Sequence, residues 1–119
     1  MFTMVRAGVL LASTVLLAGC SSLAGGELIR ASDGATSIIE VINGTVNPIH
    51  AVLISECNNF TYGFNRMADG EIIPVGGRRQ FEVSAGCWDV SVGTLGVGDV
   101  RRRMNLPPNS IQPYEVTGG

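Results

Sequence analysis

The chain has few of the residues on which hydrolytic enzymes and metal sites depend. Its 119 residues include no lysine and a single histidine, His50, which falls inside a strand-like pattern and is expected to be structural or at the surface. A serine or cysteine nucleophile needs a nearby base and a zinc ion needs about four ligands, so a histidine without companions supplies neither. A net charge of −2 argues against a nucleic-acid partner. We therefore expect no catalytic residues, no metal and no cofactor.

Long apolar runs are also missing. The longest, over residues 7–18, follows the single charged side chain of Arg6. As a helix at about 1.5 Å per residue, this run is well short of the roughly 30 Å hydrocarbon core of a bilayer. A short apolar run behind a positive charge is typical of a cleaved export signal. The sequence therefore predicts a signal peptide over residues 1–19 and no permanent transmembrane helix.

The apolar run ends in Leu17-Ala18-Gly19-Cys20. This stretch resembles the lipobox of bacterial lipoproteins. The resemblance implies a diacylglyceryl thioether on Cys20, cleavage before it and acylation of the new amino terminus. Several acyl chains together anchor a protein stably, so the membrane is an expected partner. Ser21 resembles the class sorted to the outer membrane in bacteria with two membranes, which implies the periplasmic face of that membrane.

With Cys20 assigned to the lipid, Cys57 and Cys87 remain. An even pair of cysteines in an oxidising compartment predicts a disulfide. Closing a loop of about 30 residues would stabilise the domain by roughly 3 to 4 kcal/mol. The alternative is a free or metal-binding pair, for which the chain offers few further ligands.

Residues 20–35 are small and polar without a sustained period, and we interpret them as a flexible tether. Residues 36–119 instead contain segments rich in β-branched residues that alternate with period two. They predict one small antiparallel β-sandwich of about six or seven strands. The second strand is expected to be central, a turn is expected at Asn43-Gly44, and Pro113 is expected on an edge strand. The expected strands cover residues 36–42, 49–57, 79–84, 87–92, 100–106 and 111–117.

A tight hairpin is expected where residues 80–83 are followed, after Ala85-Gly86, by residues 88–92. This hairpin and the preceding Ile73-Pro74-Val75-Gly76 are similar to a pattern in small bacterial envelope β-sandwich domains. The resemblance implies the architecture and carries no function.

Two segments are candidate contact sites. The longest loop, residues 58–70, carries Phe60, Tyr62 and Phe64 at alternate positions. These aromatics either cover an open end of the core or face a ligand. Arg101-Arg102-Arg103 alternates in a strand, so Arg101 and Arg103 project to one side and Arg102 to the other. This run either forms a solvated edge that discourages strand pairing, or contacts anionic lipid or an acidic partner.

These observations predict a lipid-anchored, non-enzymatic envelope protein that binds an unknown envelope partner. One alternative is an enzyme or enzyme inhibitor directed at the cell wall. The enzyme would need two carboxylates within about 10 Å across a cleft, and the inhibitor a rigid protruding loop such as 58–70. Another alternative is a scaffold lipoprotein of an envelope or secretion complex. The carboxylates that fall on predicted strands are Glu40, Glu56, Glu82 and Asp89.

Overall fold

The computed structural model of the chain describes residues 27–30, 34–59 and 63–118, and their regular structure is all β. Two three-stranded sheets, in the orders β3-β1-β6 and β2-β4-β5, face each other across one core. The predicted all-β sandwich is therefore confirmed, with six strands. No helix among these residues is long and apolar enough to cross a membrane. The strands are β1 Thr36–Thr45, β2 Ala51–Glu56, β3 Arg78–Ser84, β4 Gly86–Thr94, β5 Gly98–Leu106 and β6 Ile111–Gly118.

The predicted signal peptide (residues 1–19) and Cys20 lie outside the described residues. Their assignment stays a prediction.

The core is built by the period-two alternation of the strands. In β1, Ile39 and Val41 are fully buried while their neighbours are partly exposed. Trp88 of β4 is also fully buried, and its indole N–H donates a 2.8 Å hydrogen bond to the Ser84 carbonyl. Burying each such side chain favours folding by about 1.5 to 3 kcal/mol, so these positions hold the two sheets together.

One of the four strand pairs is parallel, although the sequence predicts antiparallel pairing throughout. β1 pairs antiparallel with β3 and parallel with β6, where Val41 lies opposite Tyr114. The remaining pairs, β2 with β4 and β4 with β5, are antiparallel. The reason is topological. β5 finishes at the end of the sandwich where β1 starts, and the chain crosses there through Pro107-Pro108 to the other sheet, so β6 must run in the same direction as β1.

The predicted hairpin between residues 80–83 and 88–92 is wrong. β3 belongs to one sheet and β4 to the other, and Ala85 alone separates them. The turn uses Gly86 at φ 132°, a conformation that favours glycine. A hairpin and a switch between facing sheets both put alternate residues of two consecutive strands into the same core, so the apolar pattern does not distinguish them. The antiparallel hairpin of this region is β4–β5, which turns at residues 95–97.

Two details of the predicted strands also need correction. β1 runs through the predicted turn at Asn43-Gly44, because the buried Asn43 amide donates to the carbonyls of Asn47 at 2.8 Å and Ile73 at 3.0 Å. β2 is an edge strand, not a central one. Its outer edge is covered by Arg66, whose backbone N–H donates to the Val52 carbonyl at 2.7 Å. The edge position predicted for the strand of Pro113 is confirmed, since β6 borders its sheet.

The predicted Cys57–Cys87 disulfide is confirmed, with the two Cα atoms 5.6 Å apart. It joins the residue after β2 to the second residue of β4. We call this end of the sandwich the disulfide end.

Candidate functional site

The end of the sandwich opposite the disulfide carries a concentration of exposed aliphatic side chains. Among the nine large hydrophobic side chains that are exposed in the described part of the chain, Val97 and Val100 line one pocket there, and Val46 and Leu95 are chain neighbours of lining residues. Contiguous exposed apolar surface on a small protein commonly marks an interaction site. We call these four residues the apolar tip: Val46, 79% exposed, Leu95, 79%, Val97, 59%, and Val100, 44%.

The pocket lies between the last residues of β1 and β6 and the β4–β5 hairpin. Its volume is about 170 Å³, below the roughly 300 to 1,000 Å³ of typical small-molecule sites. The space is therefore on the scale of one amino-acid side chain. Aliphatic and neutral polar groups predominate in its walls, which are formed by Thr45, Asn47, Val92, Thr94, Val97, Gly98, Asp99, Val100, Val116, Thr117 and Gly118.

The hairpin turn explains why Leu95 and Val97 project outward. The Val97 N–H donates to the Thr94 carbonyl at 3.1 Å, which closes the turn. Gly96 between them has φ 79°, and a Cβ built on it would meet no atom within 4 Å. Glycine is favoured here by backbone conformation and not by crowding. The two aliphatic residues of the turn are exposed to solvent.

His50 braces this turn. Its Nδ1 accepts a 3.1 Å hydrogen bond from the Leu95 backbone N–H, and the backbone N–H of His50 donates to the Gly93 carbonyl at 2.9 Å. Thr94 adds a 2.9 Å bond from its hydroxyl to the Pro48 carbonyl. The histidine therefore fixes the base of the apolar tip, in keeping with the structural role expected of it.

Asp99 is the one charged residue in the pocket wall. Its carboxylate accepts hydrogen bonds from Arg101 Nε at 3.2 Å and from the Ser91 hydroxyl at 3.1 Å. The bond from Arg101, followed by that from Ser91, lowers the pKa of Asp99 below its ordinary value. This carboxylate is thus ionised and already hydrogen-bonded within the domain.

The predicted contact arginines lie on the outer face of the β2-β4-β5 sheet, where Arg101 is next to Asp99 of the pocket wall and Arg103 is two residues farther along β5. Arg103 donates two hydrogen bonds to Asp89, from Nε at 2.8 Å and from Nη2 at 3.0 Å. Arg102 projects to the other side, with its guanidinium carbon 5.5 Å from the centre of the Tyr114 ring. The predicted alternation of the three arginines is confirmed. Because Arg101 and Arg103 both engage carboxylates of their own sheet, their role in binding stays a prediction.

The predicted aromatic contacts are only partly described. Phe64 is 66% exposed, and Phe60 and Tyr62 lie outside the described residues. Phe64 precedes Asn65, whose Oδ1 accepts a 2.9 Å bond from the Val52 N–H on the outer edge of β2. Arg101 and Arg103 lie on β5, at the opposite edge of that sheet. Of the predicted aromatic contacts, the described Phe64 is therefore not brought together with the predicted arginine contacts.

The strand carboxylates are occupied by neighbours. Glu40 accepts from Gln80 at 2.9 Å, Glu56 is ion-paired with Arg30, and Glu82 accepts from Thr36 at 3.4 Å. Asp89 binds Arg103 as described above. Within the described part of the chain, no group of three histidine, cysteine or acidic residues is placed to hold a metal ion.

No protein-family profile matches this chain, and no curated protein matches it. The function is therefore inferred from the residues and their geometry.

Proposed function

We propose that this chain is a lipid-anchored, non-enzymatic protein of the bacterial cell envelope that binds a protein partner through its apolar tip. The anchor is Cys20, at the end of the lipobox-like Leu17-Ala18-Gly19-Cys20. Ser21, the residue after Cys20, resembles the class sorted to the outer membrane. The proposed location is therefore the periplasmic face of an outer membrane. The observation that carries the binding role is that the N-terminal segment and the apolar tip lie at opposite ends of the sandwich.

The N-terminal segment is attached at the disulfide end by Arg30. Its guanidinium is ion-paired with Glu56, donates to the Ala85 carbonyl at 3.1 Å and lies 5.3 Å from the centre of the Trp88 ring. The Leu28 carbonyl accepts a 2.7 Å bond from the Ser84 N–H. We call residues 27–30 the clasp. They fall within the predicted tether, so the stretch between lipid and first domain contact is shorter than residues 20–35.

Strand β4 connects the two ends directly. It begins at Gly86 beside Arg30 and finishes at Thr94 in the pocket wall. Nine strand residues span about 30 Å at 3.3 Å each. A lipid attached ahead of the clasp would hold the disulfide end near the bilayer. The apolar tip, about 30 Å away along β4, would then face the aqueous side, where a partner can reach it.

Cell fractionation tests the anchor. We expect the wild-type protein in the membrane fraction and Cys20→Ala in the soluble fraction or with its leader uncleaved, because both lipidation and processing depend on that cysteine. Ser21→Ala is the matched control and should keep the lipid. A soluble wild-type protein, or a mobility that does not change in Cys20→Ala, would refute lipid anchoring.

Chemical crosslinking of whole cells, followed by mass spectrometry, tests the binding role. Leu95→Asp places a charge on the apolar tip, whereas Ile111→Asp places one on an equally apolar, 56% exposed position at the disulfide end. We expect Leu95→Asp to lose partner crosslinks that Ile111→Asp keeps. Equal loss or equal retention would contradict a role for the tip.

A further inference from the structure

We infer that the pocket at the apolar tip binds one uncharged aliphatic side chain from a protein segment on the side facing away from the anchoring membrane. The direction of approach rests on the proposed lipid anchor, whereas the chemistry of the pocket does not. Val97 and Val100 line the pocket, and Val46 and Leu95 directly follow the lining residues Thr45 and Thr94. A partner segment that inserts one side chain can therefore also cover exposed tip residues beside the pocket.

The walls of the pocket specify the kind of side chain. Val92 and Val116 are nearly buried at its base, and Val97 and Val100 form its rim. An aliphatic side chain of the partner would gain about 1.5 to 3 kcal/mol from leaving water. A cationic side chain has little to pair with, because Ser91 and Arg101 already bind the Asp99 carboxylate. A second carboxylate would be repelled by Asp99, so an uncharged side chain fits best.

The charge around the tip disfavours the anchoring bilayer as its occupant. Membrane-binding surfaces commonly carry lysine or arginine toward anionic lipid. The tip and the pocket wall contain neither, and Arg101, which follows Val100 in the chain, already binds the Asp99 carboxylate.

The area of the tip disfavours a second copy of the chain as its occupant. Four aliphatic side chains, at about 1.5 to 3 kcal/mol each and 25 cal/mol per Å², correspond to burial on the order of 250 to 500 Å² per copy. A stable interface buries about 800 Å² per partner. Two tips meeting symmetrically would therefore bind weakly. A partner whose own groove surrounds the hairpin can bury more of it.

Nuclear magnetic resonance with single-residue probes tests the chemistry of the pocket. The mature chain, residues 20–119 with Cys20→Ala, is titrated with N-acetyl-leucine methylamide and, separately, with N-acetyl-lysine methylamide. We expect the leucine probe at millimolar concentration to shift the amide signals of Val97, Val100 and Val116, and the lysine probe to leave them at least several-fold less shifted. Val100→Phe fills the rim and should abolish the shifts, whereas Ile111→Phe at the disulfide end should preserve them.

Pocket shifts that are absent, or equal for the two probes, would overturn the inference. Two further arms test the other occupants with the same protein. Binding to phosphatidylglycerol vesicles that is lost in Leu95→Asp would overturn it in favour of a bilayer. A sedimentation dimer lost in the same variant would overturn it in favour of a second copy. None of these measurements depends on the lipid proposed on Cys20. The inference about the pocket can therefore be refuted while lipid anchoring is supported, and lipid anchoring can be refuted while the inference about the pocket is supported.

Discussion

The two ends of the sandwich are built in opposite ways. At the disulfide end, a covalent bond, the ion pair of Arg30 and the buried Trp88 fix the chain, and the N-terminal segment is part of the packing. At the other end, a glycine-containing turn projects aliphatic side chains into solvent around a small pocket, and a few hydrogen bonds brace its base. Stability is thus concentrated where the chain would attach to the membrane, and uncovered apolar surface is concentrated at the far end. The disulfide that stabilises this small domain therefore lies at the end opposite its exposed tip.

Removing the disulfide should have the largest effect. Replacing both Cys57 and Cys87 by alanine should lower the free energy of unfolding by about 3 to 4 kcal/mol, since the cross-link restricts a loop of about 30 residues in the unfolded chain. Urea denaturation followed by Trp88 fluorescence measures the change. The contrasting variant is Val46→Ser at the tip, which should change the free energy by less than about 0.5 kcal/mol because Val46 is already in water. Similar losses of unfolding free energy in the two variants would contradict the claim that the two ends contribute differently to stability.

The two ends also differ in what an arginine contributes. Arg30→Ala removes a half-buried ion pair, a carbonyl hydrogen bond and a contact over Trp88, and should cost about 1 to 2 kcal/mol. Arg101→Ala removes an exposed ion pair near the tip and should cost less than about 0.5 kcal/mol. Equilibrium denaturation of both variants makes the comparison. If Arg101→Ala lowers the free energy of unfolding as much as Arg30→Ala, then the clasp contributes no more to stability than an exposed ion pair does.

Loss of the histidine brace should act locally. In His50→Ala the Leu95 N–H loses its acceptor, so hydrogen–deuterium exchange at that amide should accelerate several-fold while amides of the core strands keep their rates. Thr94→Val removes the neighbouring bond to Pro48 but leaves the acceptor of Leu95, and should accelerate exchange at Leu95 less. An unchanged Leu95 rate in His50→Ala would show that the turn is held by other contacts.

The smallest expected effect is electrostatic. Arg101 and Ser91 lower the pKa of Asp99, so Arg101→Ala should move that pKa up toward the ordinary value of about 3.9. A lowered pKa in the folded state stabilises the fold above the unfolded pKa, and this contribution is lost as the pH falls through the folded value. Carbon-13 titration of the side-chain carboxyls measures it. Glu71, whose pKa is lowered mainly by the Ala68 N–H, serves as the unaffected reference. An Asp99 pKa that does not respond would exclude Arg101 as the main cause.

The sequence predicts the strands well and their partners poorly. Alternation of residues such as Ile39 and Val41 is local, so the six strands lie close to their predicted positions. Whether β3 pairs with β4 or switches sheets depends on contacts with β1, and alternation carries no information about them. The pairing of Cys57 with Cys87 was predictable because Cys20 was assigned to the lipid.

The apolar tip illustrates what the sequence does not reveal. Leu95 and Val97 beside glycines predict a turn, but their exposure depends on how β1 and β6 end beside them. A valine and a leucine among closely spaced glycines were the available signal. Arg30 was equally inconspicuous, as a single charge in a small polar stretch whose partners, Glu56 and Trp88, are distant in sequence.

A photo-crosslinking amino acid placed at Leu95 or at Ile111 of the membrane-anchored protein in living cells tests the central claim most directly. Both side chains are exposed, and they lie at opposite ends of the sandwich. We predict protein adducts from position 95 that disappear in the Val100→Phe background, and no such adducts from position 111. Adducts from position 111 alone, or adducts from position 95 that are lipid rather than protein, would contradict an apolar tip that faces a partner away from the membrane.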